Sequence, residues 1–295
     1  MQLGKLLSAA ALSFLIPLAS NSAAKDGNEQ SAVQRAYVEN SYLIAPRRVE
    51  DFVLEGSQYD ENQKYSGAGF RYVADGHQET RIDVYVYPAG RMGQAAALAT
   101  GMEAFRADLV RATDAKTYAN LVLQEEQEFP LVDDASVVSS ESPQDPNAAA
   151  ILEAIASATR PSGRKLAMTM NLQPQDWPMH SNGYLFYKQL YYFKVRASAT
   201  QDRITAGQFN ALADRAARTL MPAIEVVNVG ECVNSVINIV TNASPEEAAK
   251  ALVTQATEHQ GYNCHATVEA AEINKKSVNA EMIGISYEPQ EWKSE

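Results

Sequence analysis

The chain has 295 residues, 25 Lys and Arg against 36 Asp and Glu, and a formal charge of −11. Its basic residues occur as scattered pairs (Arg47-Arg48, Arg164-Lys165, Lys275-Lys276). A field of net negative sign opposes DNA, RNA and anionic headgroups, so no nucleic-acid partner is expected.

Residues Met1 to Lys5 carry one charge, an apolar run follows from Leu6 to Ala19, and Ser20-Asn21-Ser22-Ala23-Ala24 comes next. These are the three regions of a secretory signal peptide, in order. The apolar run falls short of the roughly 20 residues that cross a bilayer as a helix. Ser22 and Ala24 stand where a signal peptidase reads, so cleavage is expected after Ala24. That leaves 271 residues and, with Lys5 gone, a charge of −12. The alternative is an uncleaved N-terminal anchor. No cysteine lies near the junction to carry a lipid, and no later stretch is long and apolar enough to span. A soluble periplasmic or extracellular protein is expected, long enough for a sizeable core.

Residues 25–40 are polar and read as a flexible lead-in. From Tyr42 the pattern changes. Phe52-Val53-Leu54 and Gly69 to Val73 read as strands around a polar turn region. Ile82, Val84 and Val86 alternate with Arg81, Asp83, Tyr85 and Tyr87, the mark of a half-buried strand ended by Pro88-Ala89-Gly90. Leu98, Met102, Phe105 and Leu109 share one face of a 3.6-residue period and predict a helix. One or two strands are expected within 117–140. Asp145-Pro146 opens a short helix over Ala148 to Ala158.

Leu166, Met168, Met170 and Leu172 alternate with Ala167, Thr169 and Asn171 and predict a strand. Gln173 to Gly183, with two prolines and a glycine, predicts a loop. Tyr184 to Ala197 reads as one strand. Its faces are Leu185, Tyr187, Gln189, Tyr191, Phe193 and Val195, against a wetter Tyr184, Phe186, Lys188, Leu190, Tyr192, Lys194 and Arg196. Thr205 caps a helix whose Phe209, Leu212, Ala216 and Leu220 share a face, and Pro222 stops it. The stretches 50–112 and 164–222 therefore share a theme, strands then an amphipathic helix, and read as two similar halves.

The last segment has its own signals. Ser235 to Val240 is strand-like, Ser244-Pro245-Glu246-Glu247 is a capping box, and Gly261 suits the C-terminal cap of the helix that follows. Strands near 263–270 and 280–287 complete a βαββ module over 229–295. The two cysteines, Cys232 and Cys264, are expected to form a disulfide in an exported chain. A metal–thiolate pair would want further spaced ligands, and only His259 and His265 lie near. The fold class is α+β: a mostly antiparallel sheet with amphipathic helices packed on one face over 41–228, plus the C-terminal module.

The chain has no Gly-x-Ser-x-Gly elbow, His-Glu-x-x-His pair, phosphate-cradling Gly-Lys-Ser/Thr loop or dinucleotide Gly-x-Gly-x-x-Gly. No catalytic set, cofactor or metal is therefore expected from motifs. The sharpest site candidate is the loop carrying Trp177, Met179 and His180, an aromatic and an imidazole presented between strands. Met168, Met170, Met179 and His180 also form a soft set suited to Cu(I); against that, Met168 and Met170 sit on an apolar strand face and read as core. Tyr85, Tyr87, Tyr184 and Tyr192 lie on polar strand faces, either to contact a ligand or to pack beneath another layer. His77 reads as a turn residue and His259 as a helix end.

The leading function is an exported, non-enzymatic envelope or secreted protein that binds a small ligand or another protein. The alternatives are a hydrolase whose catalytic residues are not local in sequence, and an inhibitor or immunity-type protein with a basic partner. A cleft holding His180 or His265 beside a Ser and a carboxylate would mark the enzyme. An aromatic face without titratable clusters would mark the binding module.

Overall fold

The computed structural model describes residues 35–131 and 162–292. The expected signal peptide over 1–24, most of the expected lead-in and the expected helix over 148–158 lie outside the described residues. The larger sheet runs in the order β2 (Arg48–Val49), β3 (Phe52–Tyr59), β4 (Ala68–Ala74), β5 (Arg81–Pro88), β10 (Tyr191–Thr200), β9 (Trp177–Lys188), β8 (Ser162–Leu172), β6 (Tyr118–Leu123), and β7 (Gln127–Pro130) also pairs with β8. All its pairings are antiparallel. A smaller sheet has the order β12 (Cys264–His265), β11 (Glu225–Val229), β1 (Asn40–Pro46), β13 (Ala280–Ser286). The helices are α1 (Gln94–Asp114), α2 (Ala206–Ala223), α3 (Pro245–Gly261) and the single turn α4 (Ile273–Lys276). The α+β class with a mostly antiparallel sheet holds.

The two long helices take opposite faces of the large sheet, where one shared face was expected. Met102, Phe105 and Leu109 of α1 pack with Leu166, Met168, Met170, Leu185 and Tyr192. Phe209, Leu212, Ala216 and Leu220 of α2 pack with Tyr184, Phe186, Tyr191, Phe193 and Val195. The reason is that β9 and β10 are apolar on both sides, so each side must be covered. Each such buried large side chain contributes about 1.5–3 kcal/mol relative to exposure. The smaller sheet joins α2 on its face: Leu43, Val226, Ile285, Tyr287 and Trp292 belong to the same core. Its other side carries Ile44, Val227 and Val229 against Ala271 and Ile273.

The run Tyr184 to Ala197 is two strands and not one. Gln189 and Leu190 both have positive φ (55° and 68°) and form a two-residue hairpin turn in which Lys188 pairs with Tyr191. That turn reverses the parity after residue 188. Tyr191, Phe193 and Val195 therefore share a face with Tyr184 and Phe186, and Leu185 shares one with Tyr192. Such turns favour Asn and Gly, and neither is present to announce this one. The expected loop Gln173 to Gly183 is also mostly strand: β9 starts at Trp177 and pairs with β8 and β10. Pro178 lies opposite Asn171 at the start of that strand.

The stretches 50–112 and 164–222 each fold as a three-strand meander followed by a helix, and they meet where β5 pairs with β10. A rotation that carries one meander onto the other within a sheet keeps the faces fixed. The helices sit on different faces, so that rotation does not superpose them.

Ala36 and Val38, at the end of the expected lead-in, are buried. In the last segment, the strand before α3 is β11, whose Val226, Val227 and Val229 are buried, and not Ser235 to Val240. That stretch finds no neighbouring strand. The Gln255 amide instead takes both the N–H (2.8 Å) and the C=O (2.7 Å) of Asn238. β11, α3 and the parallel β12 make a β-α-β unit, and Cys232 and Cys264 are joined as a disulfide near its closed end. The capping box forms: Ser244 Oγ accepts from Glu247 N and Glu247 accepts from Ser244 N. Gly261 lies within α3, and Tyr262 takes the cap position. β13 pairs with β1 throughout, so 229–292 shares sheet and core with 41–228.

Candidate functional site

The strand period separates the expected Trp177, Met179 and His180 set. Trp177 and Met179 lie on the α1 side of β9, where Met179 packs against the Met168 and Met170 cluster. Trp177 is half exposed. His180 lies on the α2 side, stacked on Phe209 at 5.6 Å, and burial pulls its pKa below the usual imidazole range. Met168 and Met170 are core residues beneath α1. The Cu(I) set is therefore split, with its imidazole on one face and its thioethers on the other. Among the described residues no three or more His, Cys, Asp or Glu gather as a metal cluster.

The other histidines are engaged locally. His265 faces Asn263 Oδ1 at 3.3 Å, His259 faces the Val233 carbonyl at 3.2 Å, and His77 pairs with Glu79. None of these contacts joins a histidine to both a Ser hydroxyl and a carboxylate, as a nucleophile–base pair needs.

One concave feature among the described residues lies on the α1 side of the sheet, over β3, β4 and β5. α1 packs over β6, β8 and β9 and reaches Tyr192 of β10 and Tyr87 at the end of β5. β3, β4 and β5 form a groove of about 270 Å³ there, lined by Glu55, Gln58, Gly69, Arg71, Arg81, Asp83 and Tyr85. A β-bulge between Leu54 and Gly56 shapes the β3 wall, since an extra residue bends and twists a strand.

Asp83 is the centre of that groove. It is 8% exposed, and a buried carboxylate needs partners. Arg71 lies directly opposite on β4 and donates Nε to one oxygen at 3.0 Å. Arg81, two residues back on β5, donates Nε to the other oxygen. Burial opposes the Arg81 charge, but its bonds to Asp83 and Tyr85 outweigh this and hold its pKa above the ordinary value. Burial, then Asp83, pushes the Tyr85 phenol up. Arg196 of β10 is the other cross-strand neighbour of Asp83. The strand alternation placed Arg81, Asp83 and Tyr85 on one face. It could not supply Arg71 or Arg196, because cross-strand partners depend on register.

Of the four tyrosines, Tyr184 is fully buried beneath α2, and Tyr87 and Tyr192 pack with the α1 cluster. Tyr85 alone lines the groove.

Two further polar constellations serve the scaffold. Lys188 donates Nζ to the carbonyls of Met221 and Ile224, closing the C-terminal end of α2, and lies 4.7 Å from the Phe193 ring centre. Burial pushes its pKa down to about 8 despite Glu225. Asp214 of α2 accepts from Lys165 (2.6 Å) and Tyr184 (2.5 Å), beside an Asn182–Asn210 bond, and ties α2 to the sheet. A second hollow, of about 30 Å³ beside Tyr37, Arg91 and Tyr262, has room for little more than a water molecule. Comparison of the chain with protein-family models and with curated proteins returns no match.

Proposed function

We propose that this is an exported protein that binds a small ligand without transforming it, and that the groove over β3, β4 and β5 is where the ligand sits. One observation carries the reading. Polar groups (Arg71, Arg81, Gln58, with the acids Asp83 and Glu55) and one aromatic (Tyr85) line a concavity built on strands, and ligand sites combine shape with a few placed polar groups on a rigid frame. The histidines, by contrast, are engaged elsewhere. Export is supported by the N-terminal signal pattern, by the disulfide, and by the lack of a helix long and apolar enough to span a membrane among the described residues.

The test of the binding role is a fragment and metabolite screen followed by amide chemical-shift mapping. Hits should perturb Ser57, Gly69, Arg71 and Tyr85 together. Hits that map only elsewhere would remove the groove as the site. The test of export is the N-terminus of protein recovered from outside the cytoplasm, which should be Lys25.

A further inference from the structure

The geometry points to a small oxyanion, a carboxylate or phosphate group, as what the groove recognises; this rests on the groove being the ligand site. The chain as a whole is acidic, with 36 acids to 25 bases. Yet one face of three adjacent strands gathers Arg71, Arg81, Lys194 and Arg196. The acids that pair with them are Asp83 on the same face and Asp108 from α1, and Glu55 also lines the groove.

Two of the four cations are already committed. Lys194 lies 3.8 Å from Asp108 and close to the rings of Tyr85, Tyr87 and Phe105. Arg196 donates Nε to Ser181 Oγ at 3.3 Å and covers the Tyr118 ring.

Arg71 and Arg81 are different. Each spends its Nε on Asp83. Among the described residues Arg71 makes no other hydrogen bond, and Arg81 adds only Tyr85. A guanidinium has five donors, so both retain unused N–H groups while lining the same groove. Asp83 takes only the Nε–H of each arginine, one on each oxygen. It acts as a brace that fixes two guanidinium planes before any ligand arrives. Forked donors held in place suit an oxyanion better than a neutral polar group. Gln58 also lines the groove and can add a neutral hydrogen bond, whereas the Ser57 hydroxyl is donated to Glu281 at 3.1 Å. Glu55 is exposed and pairs with neither arginine. It opposes an incoming anion and keeps affinity modest.

The experiment is titration of the disulfide-intact mature protein at low ionic strength with succinate, inorganic phosphate and, as a neutral control, glucose. The readout is the Nε–H signals of Arg71 and Arg81 and the amides of Ser57 and Gly69. Saturable shifts are expected with an anion and not with glucose. A planar preference appears as succinate over phosphate, and a tetrahedral one as the reverse. Arg71→Gln and Arg81→Gln should each weaken the anion about tenfold, as for one charge-assisted hydrogen bond. Glu55→Gln should tighten it about two- to threefold, as for removal of one screened like charge. Arg71→Lys, which keeps the charge but not the fork, covers the case in which Arg71→Gln fails to fold; it should still weaken succinate. Shifts caused by neutral ligands alone would overturn the oxyanion assignment and leave the groove as a binding site. No saturable shift at the groove with these probes or with any screened compound would remove both.

Discussion

Arg71 and Asp83 stand directly opposite each other in the β4–β5 ladder and are joined at 3.0 Å, on the face of the large sheet turned away from α2. Asp83 holds Arg81 by its second oxygen. Asp83→Asn leaves the shape intact but turns an amide N–H toward one of the two guanidinium groups. A loss of about 1–2 kcal/mol in urea unfolding is expected, below the full value of a buried charge pair because both arginines are partly exposed and screened. Arg71→Gln should lose less than about 1 kcal/mol. An Asp83→Asn variant as stable as the parent would show that the carboxylate does not hold this face together.

The disulfide ties both ends of a segment that buries little of itself. α3 has no buried residue, and Cys232 and Cys264 are 32 residues apart. The chain-entropy argument gives roughly 3–4 kcal/mol for such a loop. The double variant Cys232→Ser/Cys264→Ser should lose about that much, with faster hydrogen exchange in α3 well before β9 and β10. Equal exchange rates in α3 with and without the bond would contradict this account.

Lys188 links stability to pH. Its folded value of about 8 lies below the ordinary 10.5. Below pH 8 both states are protonated and folding carries the whole cost of burying the charge. As pH rises from 8 toward 10.5 the unfolded chain binds more protons, so stability rises, by up to about 3 kcal/mol in total. The buried phenols of Tyr184, Tyr191 and Tyr287 are pushed up from 10; their contribution is complete below that pH and is lost above it. The comparison therefore belongs between about pH 8 and 9.5. Wild type should gain stability there and Lys188→Met should stay flat.

Gly183 lets α1 approach the sheet. A Cβ at that position would lie 2.3–2.4 Å from the Phe105 ring. Phe105 is itself buried. Gly183→Ala should lose about 1–3 kcal/mol by overpacking. The double variant Gly183→Ala/Phe105→Leu should recover part of it, since the clashing ring is gone. No recovery would place the cost elsewhere.

How far the sequence reaches is visible in particular elements. The helices at Leu98–Leu109 and Phe209–Leu220, the β5 alternation and the Ser244 capping box were legible because each depends on residues within one or two turns of each other. The cysteine pair was legible because the chain holds only two. The hairpin at Gln189–Leu190 was not. Its two turn residues carry no local preference for positive φ, and missing it reversed the face of every residue after it. Likewise β11 is short and buried, and its neighbours Asn40–Pro46 and Cys264–His265 lie far from it in sequence.

The candidate site shows where the boundary falls. The sequence by itself determined that Arg81, Asp83 and Tyr85 share a strand face, because side-chain alternation is a property of a single strand. It also determined the acidic balance. Only the tertiary structure decided that Arg71 and Arg196 flank Asp83, that His180 and Met179 point to opposite sides, and that α1 packs over β6, β8 and β9. Those outcomes depend on strand register and on which apolar surfaces are available for a helix to cover. Both are set by contacts between residues far apart in the chain.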